Sequence, residues 1–313
     1  MNDGDWMKWA IPYWIYWIVG AVVLLPLINL GLGVHPPTFS TDDDPGRHGL
    51  PYERVSFSTA DGLTLRGWFI PAAPTAGPSR EPGGSGSTCG ATILVGHGYP
   101  FDKANILRHA LFLHGRFNLL LIDFRYFGES EGAYTTVGLL ETRDVEGAVA
   151  YLKERAAVEP QRVGALGFSM SAAAFLLARH PDIRAIVADS PYASLADLVA
   201  RQLFFFGPGP TKWPVMALTR LYGRLLLGVD IEAAMPARAV RDLTAALLII
   251  HGEADSQIPV EHAREIYAHA NPATTELWIV PSADHGQARA HAGPRYEIRV
   301  RSFFERHLCG AAA

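Results

Sequence analysis

Residues 162–174, Arg-Val-Gly-Ala-Leu-Gly-Phe-Ser-Met-Ser-Ala-Ala-Ala, set Ser169 between an apolar run and a string of small residues. The run reads as a buried strand, and the stretch from Ala172 to Arg179 reads as a helix. A serine on so short a strand-to-helix turn sits in the context of a nucleophile elbow, where the turn pushes the hydroxyl outward and small neighbours let strand and helix pack closely. The helix N-terminus adds donors and positive potential for a developing oxyanion. Gly167-x-Ser169-x-Ser171 departs from Gly-x-Ser-x-Gly at its last position, where Ser171 is small but carries a Cβ. A serine here is also an ordinary helix cap, so the motif needs support from elsewhere in the chain.

That support comes from both directions along the sequence. Residues 91–98 (ATILVGHG), 117–124 (FNLLLIDF), 183–190 (IRAIVADS), 245–252 (AALLIIHG) and 275–281 (TELWIVP) read as further strands. Helices are expected near Ile106–Gly115 and Leu140–Arg155. Strands alternating with helices imply a mostly parallel sheet with right-handed crossovers. Residues 55–71 alternate around Asp61-Gly62 as a hairpin, and 72–90, rich in Gly, Pro and Ser, read as a surface loop. The rhythm breaks between about Asp197 and Asp242, an inserted helical cap whose Phe204, Phe205, Phe206, Trp213 and Met216 either pack on the core or line a pocket.

From Trp9 to Val34 the chain carries no charge, enough residues at about 1.5 Å each to cross a hydrocarbon layer roughly 30 Å thick. Trp6, Trp9, Tyr13, Trp14, Tyr16 and Trp17 crowd its first half, as at a headgroup level. This segment is expected to be a single-pass membrane anchor rather than a core helix or cleaved leader, with the side of the soluble domain left open. The expected organisation is a tail and anchor at 1–34, a linker at 35–51, a first core part at 52–196, the cap at 197–242 and a second core part at 243–309.

Composition narrows the function classes. A net charge of −4 over 313 residues, with no Lys/Arg block, argues against a nucleic-acid partner. The two cysteines, Cys89 and Cys309, suggest neither a disulfide framework nor a zinc site, and free thiols are expected. Scattered histidines without H-E-x-x-H spacing give no metal, and no glycine-rich phosphate or dinucleotide motif appears, so no cofactor is implied.

Three loops remain, each at the carboxyl end of a strand: His97-Gly98, HGEADSQIP at 251–259 and PSADHG at 281–286. Ligands of open α/β sheets bind at that edge. Ser169, Asp255 and His285 also occur in the chain order nucleophile, acid, histidine. With GHGYPFDKAN, DFRYFGESEG, GFSMSAAA, DSPYASL and HGEADSQIP, residues 52–308 resemble the α/β-hydrolase superfamily, most of all membrane-associated serine hydrolases near its serine aminopeptidase-like and esterase/thioesterase branches. The resemblance implies the amides of Tyr99 and Met170 as oxyanion hole, and it marks Tyr126 as standing where glycine is common. His97 is expected to shape its loop, and Asp123, Asp189 and Asp284 to make turn or cap hydrogen bonds. The expected activity is hydrolysis of a carboxylic ester or thioester in a small-molecule or lipid-like acyl substrate. A peptidase of the same fold and a membrane-tethered binding protein with a retired site are the alternatives.

Overall fold

Every residue of the strands at 92–96, 118–122 and 246–252 is buried, which is why these segments are mostly continuous apolar runs rather than alternating ones. The computed structural model describes residues 12–73, 88–155, 158–159, 161–202 and 212–310. Eight strands form one sheet: β1 Glu53–Ser58, β2 Thr64–Ile70, β3 Thr92–Gly96, β4 Asn118–Ile122, β5 Val163–Phe168, β6 Ile183–Asp189, β7 Ala246–Gly252 and β8 Thr275–Val280. Their order is β1-β2-β4-β3-β5-β6-β7-β8. The β1–β2 hairpin runs antiparallel onto β4, and all later pairings are parallel. Gly62, with φ 86°, supplies the left-handed turn residue of the expected hairpin.

Alternate side chains point to opposite faces, so each strand feeds two cores. Leu94, Leu120, Ala165, Ile186 and Leu247 join one of them with α3 (Glu141–Glu154), α4 (Met170–Ala178) and α8 (Glu261–His269). Ile93, Leu121, Leu166, Val187 and Leu248 join the other with α2 (Lys103–Ala110) and α10 (Pro294–Leu308). This is the three-layer α/β-hydrolase architecture. The helix expected at 106–115 begins earlier because Asp102 accepts the Ala104 and Asn105 amides as a capping box. Short α7 (Pro236–Ala239) and α9 (Ala288–Ala292) complete this part.

The chain divides into two compact units, one of residues 1–36 with 196–233, the other of 37–195 with 234–313. In the first, α1 (Tyr13–Val34), α5 (Leu195–Gln202, from its second residue) and α6 (Lys212–Leu227) are the α-helices among the described residues, and the Tyr222 hydroxyl donates to the Val23 carbonyl at 3.1 Å. Among the described residues no helix is long and apolar enough to cross a membrane. The side chains of Trp14, Ile15, Trp17, Ile18, Val19 and Ala21 are not among those described, so the segment expected to span is established here only as a helix. Phe204, Phe205 and Phe206 also lie outside the described residues, whereas Trp213 is 74 % exposed on α6, which departs from the core-packing alternative.

The cysteines depart from expectation outright. Cys89 and Cys309 form a disulfide with Cα atoms 5.5 Å apart, not free thiols. Sequence separation of 220 residues hid this. Helix α10 crosses the sheet so that its last turn covers β5, where a Cβ on Gly164 would stand 2.9 Å from Leu308, and the segment leading to β3 is pinned there by Arg162 donating to the Cys89 carbonyl at 2.9 Å. Non-reducing peptide mapping is expected to recover the linked Cys89 and Cys309 peptides. Cys89→Ser, Cys309→Ser and the double variant should each lose the same stability, on the order of 2–4 kcal/mol; losses that add would rule out the pairing.

Candidate active site

Ser169 stands at the end of β5 with φ 54° and ψ −110°, a conformation that costs a non-glycine residue about 1–3 kcal/mol. The surroundings impose it. A Cβ on Gly167 would come within 2.6 Å of the Ala172 amide nitrogen, and one on Gly96 within 2.5 Å of the Ser171 Cβ, so strand and helix meet at a distance only glycine allows. The Ser169 amide donates to the Asp189 carbonyl at 2.8 Å, tying the turn to β6. Ser171, in place of the second glycine, completes the turn: its Oγ accepts the Phe168 amide at 2.8 Å and donates to the Phe168 carbonyl at 3.1 Å. The departure from the motif is thus built into the elbow.

Asp255 lies on the loop after β7, its carboxylate fully buried. Oδ1 accepts the amides of Gln257 at 3.0 Å and Ile258 at 2.7 Å, which leaves Oδ2 facing His285 Nδ1 at 2.8 Å. His285 Nε2 in turn lies 3.2 Å from Ser169 Oγ. An acceptor-only carboxylate places the ring proton on Nδ1, so Nε2 presents its lone pair to the serine hydroxyl. The three residues, distant in sequence, are brought together in the geometry that lets an imidazole take a hydroxyl proton. Phe168 packs on the imidazole, ring centroids 5.1 Å apart. Asp284 accepts the amides of His285 at 2.7 Å and Ser256 at 2.8 Å, which hold its carboxyl below the usual range and knit the histidine loop to the acid loop.

The loop after β3 passes against the elbow, where a Cβ on Gly98 would stand 2.7 Å from Phe168 and 3.5 Å from the Ser169 Cβ. Tyr99 follows directly, and Met170 opens α4. Buried His97 accepts the Phe124 amide at Nε2 (3.1 Å) and therefore donates from Nδ1 to the Gly98 carbonyl (2.9 Å), joining the two loops as a neutral ring that burial holds below its usual pKa. Asp123 accepts from the Lys103 amide and ammonium and from the Glu129 amide, a structural anchor. Tyr126 adopts φ 76°, which explains why glycine is common at that position.

Asp189 is the unexpected neighbour. It takes hydrogen bonds from Tyr296 Oη at 2.7 Å and Ser190 Oγ at 3.0 Å, yet burial pushes its carboxyl up to about 6. Tyr296 was not legible as part of this region, because nothing in sequence links a helical tyrosine to an aspartate 107 residues away.

The model of the prolyl oligopeptidase family matches residues 130–310, a stretch that holds Ser169, Asp255 and His285 but not Tyr99. The uncharacterized protein YfhR of Escherichia coli (strain K12) is 28% identical over 283 residues, covering 88% of this chain and 86% of the relative. A thiohydrolase, apmlB, of Arthrinium phaeospermum is 31% identical over 146 residues, 44% of this chain and 43% of its own. Among solved structures, the Pyrococcus furiosus esterase Pf2001 superposes with a TM-score of 0.67 at 27% identity, covering 88% of this chain and 98% of that one.

Burial of Asp189 carries a pH signature. A carboxyl raised to about 6 in the fold, against about 3.9 unfolded, adds stability that is fully present below pH 3.9 and is lost as pH rises through 6. Asp189→Asn is expected to remove that slope. Thermal or urea unfolding of both proteins between pH 4 and 7 should show the variant gaining on wild type by on the order of 2–3 kcal/mol across the window; parallel curves would contradict it.

Proposed function

We propose, from the premise that the chain belongs to the prolyl oligopeptidase family of α/β hydrolases, that it is a serine hydrolase cleaving a carboxylic ester or thioester through an acyl-enzyme on Ser169. One observation carries this reading: the relay from Asp255 through His285 to Ser169, at 2.8 and 3.2 Å. His285 Nε2 takes the hydroxyl proton as Ser169 Oγ bonds to the substrate carbonyl carbon. Asp255 orients the ring and stabilises the imidazolium, which returns the proton to the departing alcohol or thiol. Water, deprotonated by the same ring, then attacks the acyl carbon and frees Ser169. The amides of Tyr99 and Met170 are the donors assigned to the oxyanion.

The likeness to a named esterase and a named thiohydrolase supports oxygen and sulfur leaving groups. The family's name supports a second reading, a peptidase. Both use the same relay, and fold alone does not choose between them.

The proposal extends to membrane attachment through 1–34 and to a lipid-like acyl substrate, with residues 52–196 and 243–309 as catalytic core and 197–242 as cap. Its support is α1, whose Val23, Leu24, Leu25, Leu27, Ile28 and Leu32 are exposed and whose end turns carry no charge. The Cys89–Cys309 bridge supports placing the core on the oxidising side.

A fluorophosphonate probe is expected to label Ser169, and Ser169→Ala to lose labelling and at least about a thousandfold in turnover. Asp255→Asn should lose a factor on the order of ten thousand, Asp284→Asn far less. Full labelling of folded Ser169→Ala would sink the reading. In competition, faster cleavage of peptide amides than of esters and thioesters would promote the peptidase. Carbonate extraction should leave the full-length chain with the membrane pellet; release into the supernatant would exclude a spanning anchor.

A further inference from the structure

His251, near the end of β7, is wholly buried and takes no part in the relay described above. Its Nε2 lies 2.7 Å from the Ile258 carbonyl and 3.4 Å from Asp255 Oδ2. Nδ1 meets no hydrogen-bond partner among the described residues. A carbonyl only accepts, so Nε2 carries the proton. A proton added at Nδ1 would have no acceptor, and burial holds the ring below its usual pKa. The titratable groups facing it are Asp255, His285 and His262, the last of which accepts the Ala193 amide at 3.1 Å.

Ile258 is therefore held at both of its backbone polar groups: its N–H donates to Asp255 Oδ1 at 2.7 Å and its carbonyl accepts from His251. That double hold closes the turn from Asp255 to Ile258, and the closed turn is what aims Oδ2 at His285. We propose that His251 is a positioning residue for the relay, a neutral imidazole that holds the Ile258 carbonyl and lends Asp255 Oδ2 a second, longer contact, so fixing the carboxylate that orients His285. The inference rests on Ser169, His285 and Asp255 being the catalytic relay. It accounts for a buried ring nitrogen left without a partner, which is unfavourable for stability and which an apolar side chain would avoid.

The test uses the full chain with p-nitrophenyl butyrate. His251→Gln places an amide N–H near the position of Nε2–H, whereas His251→Phe fills the space without a donor; His251→Leu replaces it should the Phe variant fail to fold. Groups that orient a functional side chain from behind are typically worth about 10–100-fold. The Phe or Leu variant should lose kcat on that scale with KM within about twofold, and the Gln variant should stay within about threefold of wild type. A substrate-free readout accompanies it: in a Ser169→Ala background, NMR titration of the His285 ring should move to lower pH in the Phe or Leu variant, because a carboxylate out of line holds the imidazolium less well. Wild-type kcat with an unmoved His285 titration would overturn the proposal, as would equal losses in the Gln and apolar variants with that titration unmoved. Retained turnover in Ser169→Ala would instead sink the relay itself, an outcome kept separate because the titration needs no turnover.

Discussion

The close approach of β5 and α4 at Gly167 is the constraint on which the site depends. With the Ala172 amide nitrogen 2.6 Å from where a Cβ would stand, the backbone reverses in fewer residues than an unstrained loop needs. Ser169 absorbs that reversal in its own dihedrals. The strain is held by bonds around it: its amide on β6, Ser171 on both polar groups of Phe168, and the loop after β3 seated against Phe168. Strain of this kind persists only where neighbouring structure over-determines it. Because β3, β5 and β6 are buried on both faces, the elbow has no soft side into which to relax.

Electrostatics follow from the same burial. Three carboxylates stand near His285, each in a different environment. Asp255 receives two amides at Oδ1 and faces the imidazole with Oδ2. Asp189 receives two hydroxyls in a drier place, and desolvation outweighs them. Of these, Asp255 is the one hydrogen-bonded to the histidine ring, through Oδ2. Asp284, half-buried and fed by backbone amides, contributes by fastening one loop to another rather than by facing the ring.

Much of this was legible in the sequence because it is local. Apolar runs ending in glycine mark buried strands, and the order of Ser169, Asp255 and His285 follows from the order of those strands. What escaped is what only three-dimensional packing decides. Cys89 and Cys309 meet because α10 crosses the sheet, and Tyr296 reaches Asp189 for the same reason. Helix α2 started earlier than its apolar pattern suggested because a polar cap, not periodicity, sets where a helix begins. Trp213 is exposed rather than packed on the core, since aromatic content alone does not say which way a helix turns its face.

The bridge between Cys89 and Cys309 also changes what kind of object the catalytic part is. Residues 89–309 form a covalent ring that contains Ser169, Asp255 and His285 together with the entire 196–233 excursion. One break in the backbone at any point on that ring leaves a single covalent molecule whose two segments are held by the bridge, not two separate fragments. The α1 segment hangs from the ring as a pendant, so its severance leaves the loop of the ring intact. In an unfolded state this closed topology restricts how far β3 can stray from α10, and the strand and the helix that packs on its sheet search for one another as already tethered neighbours.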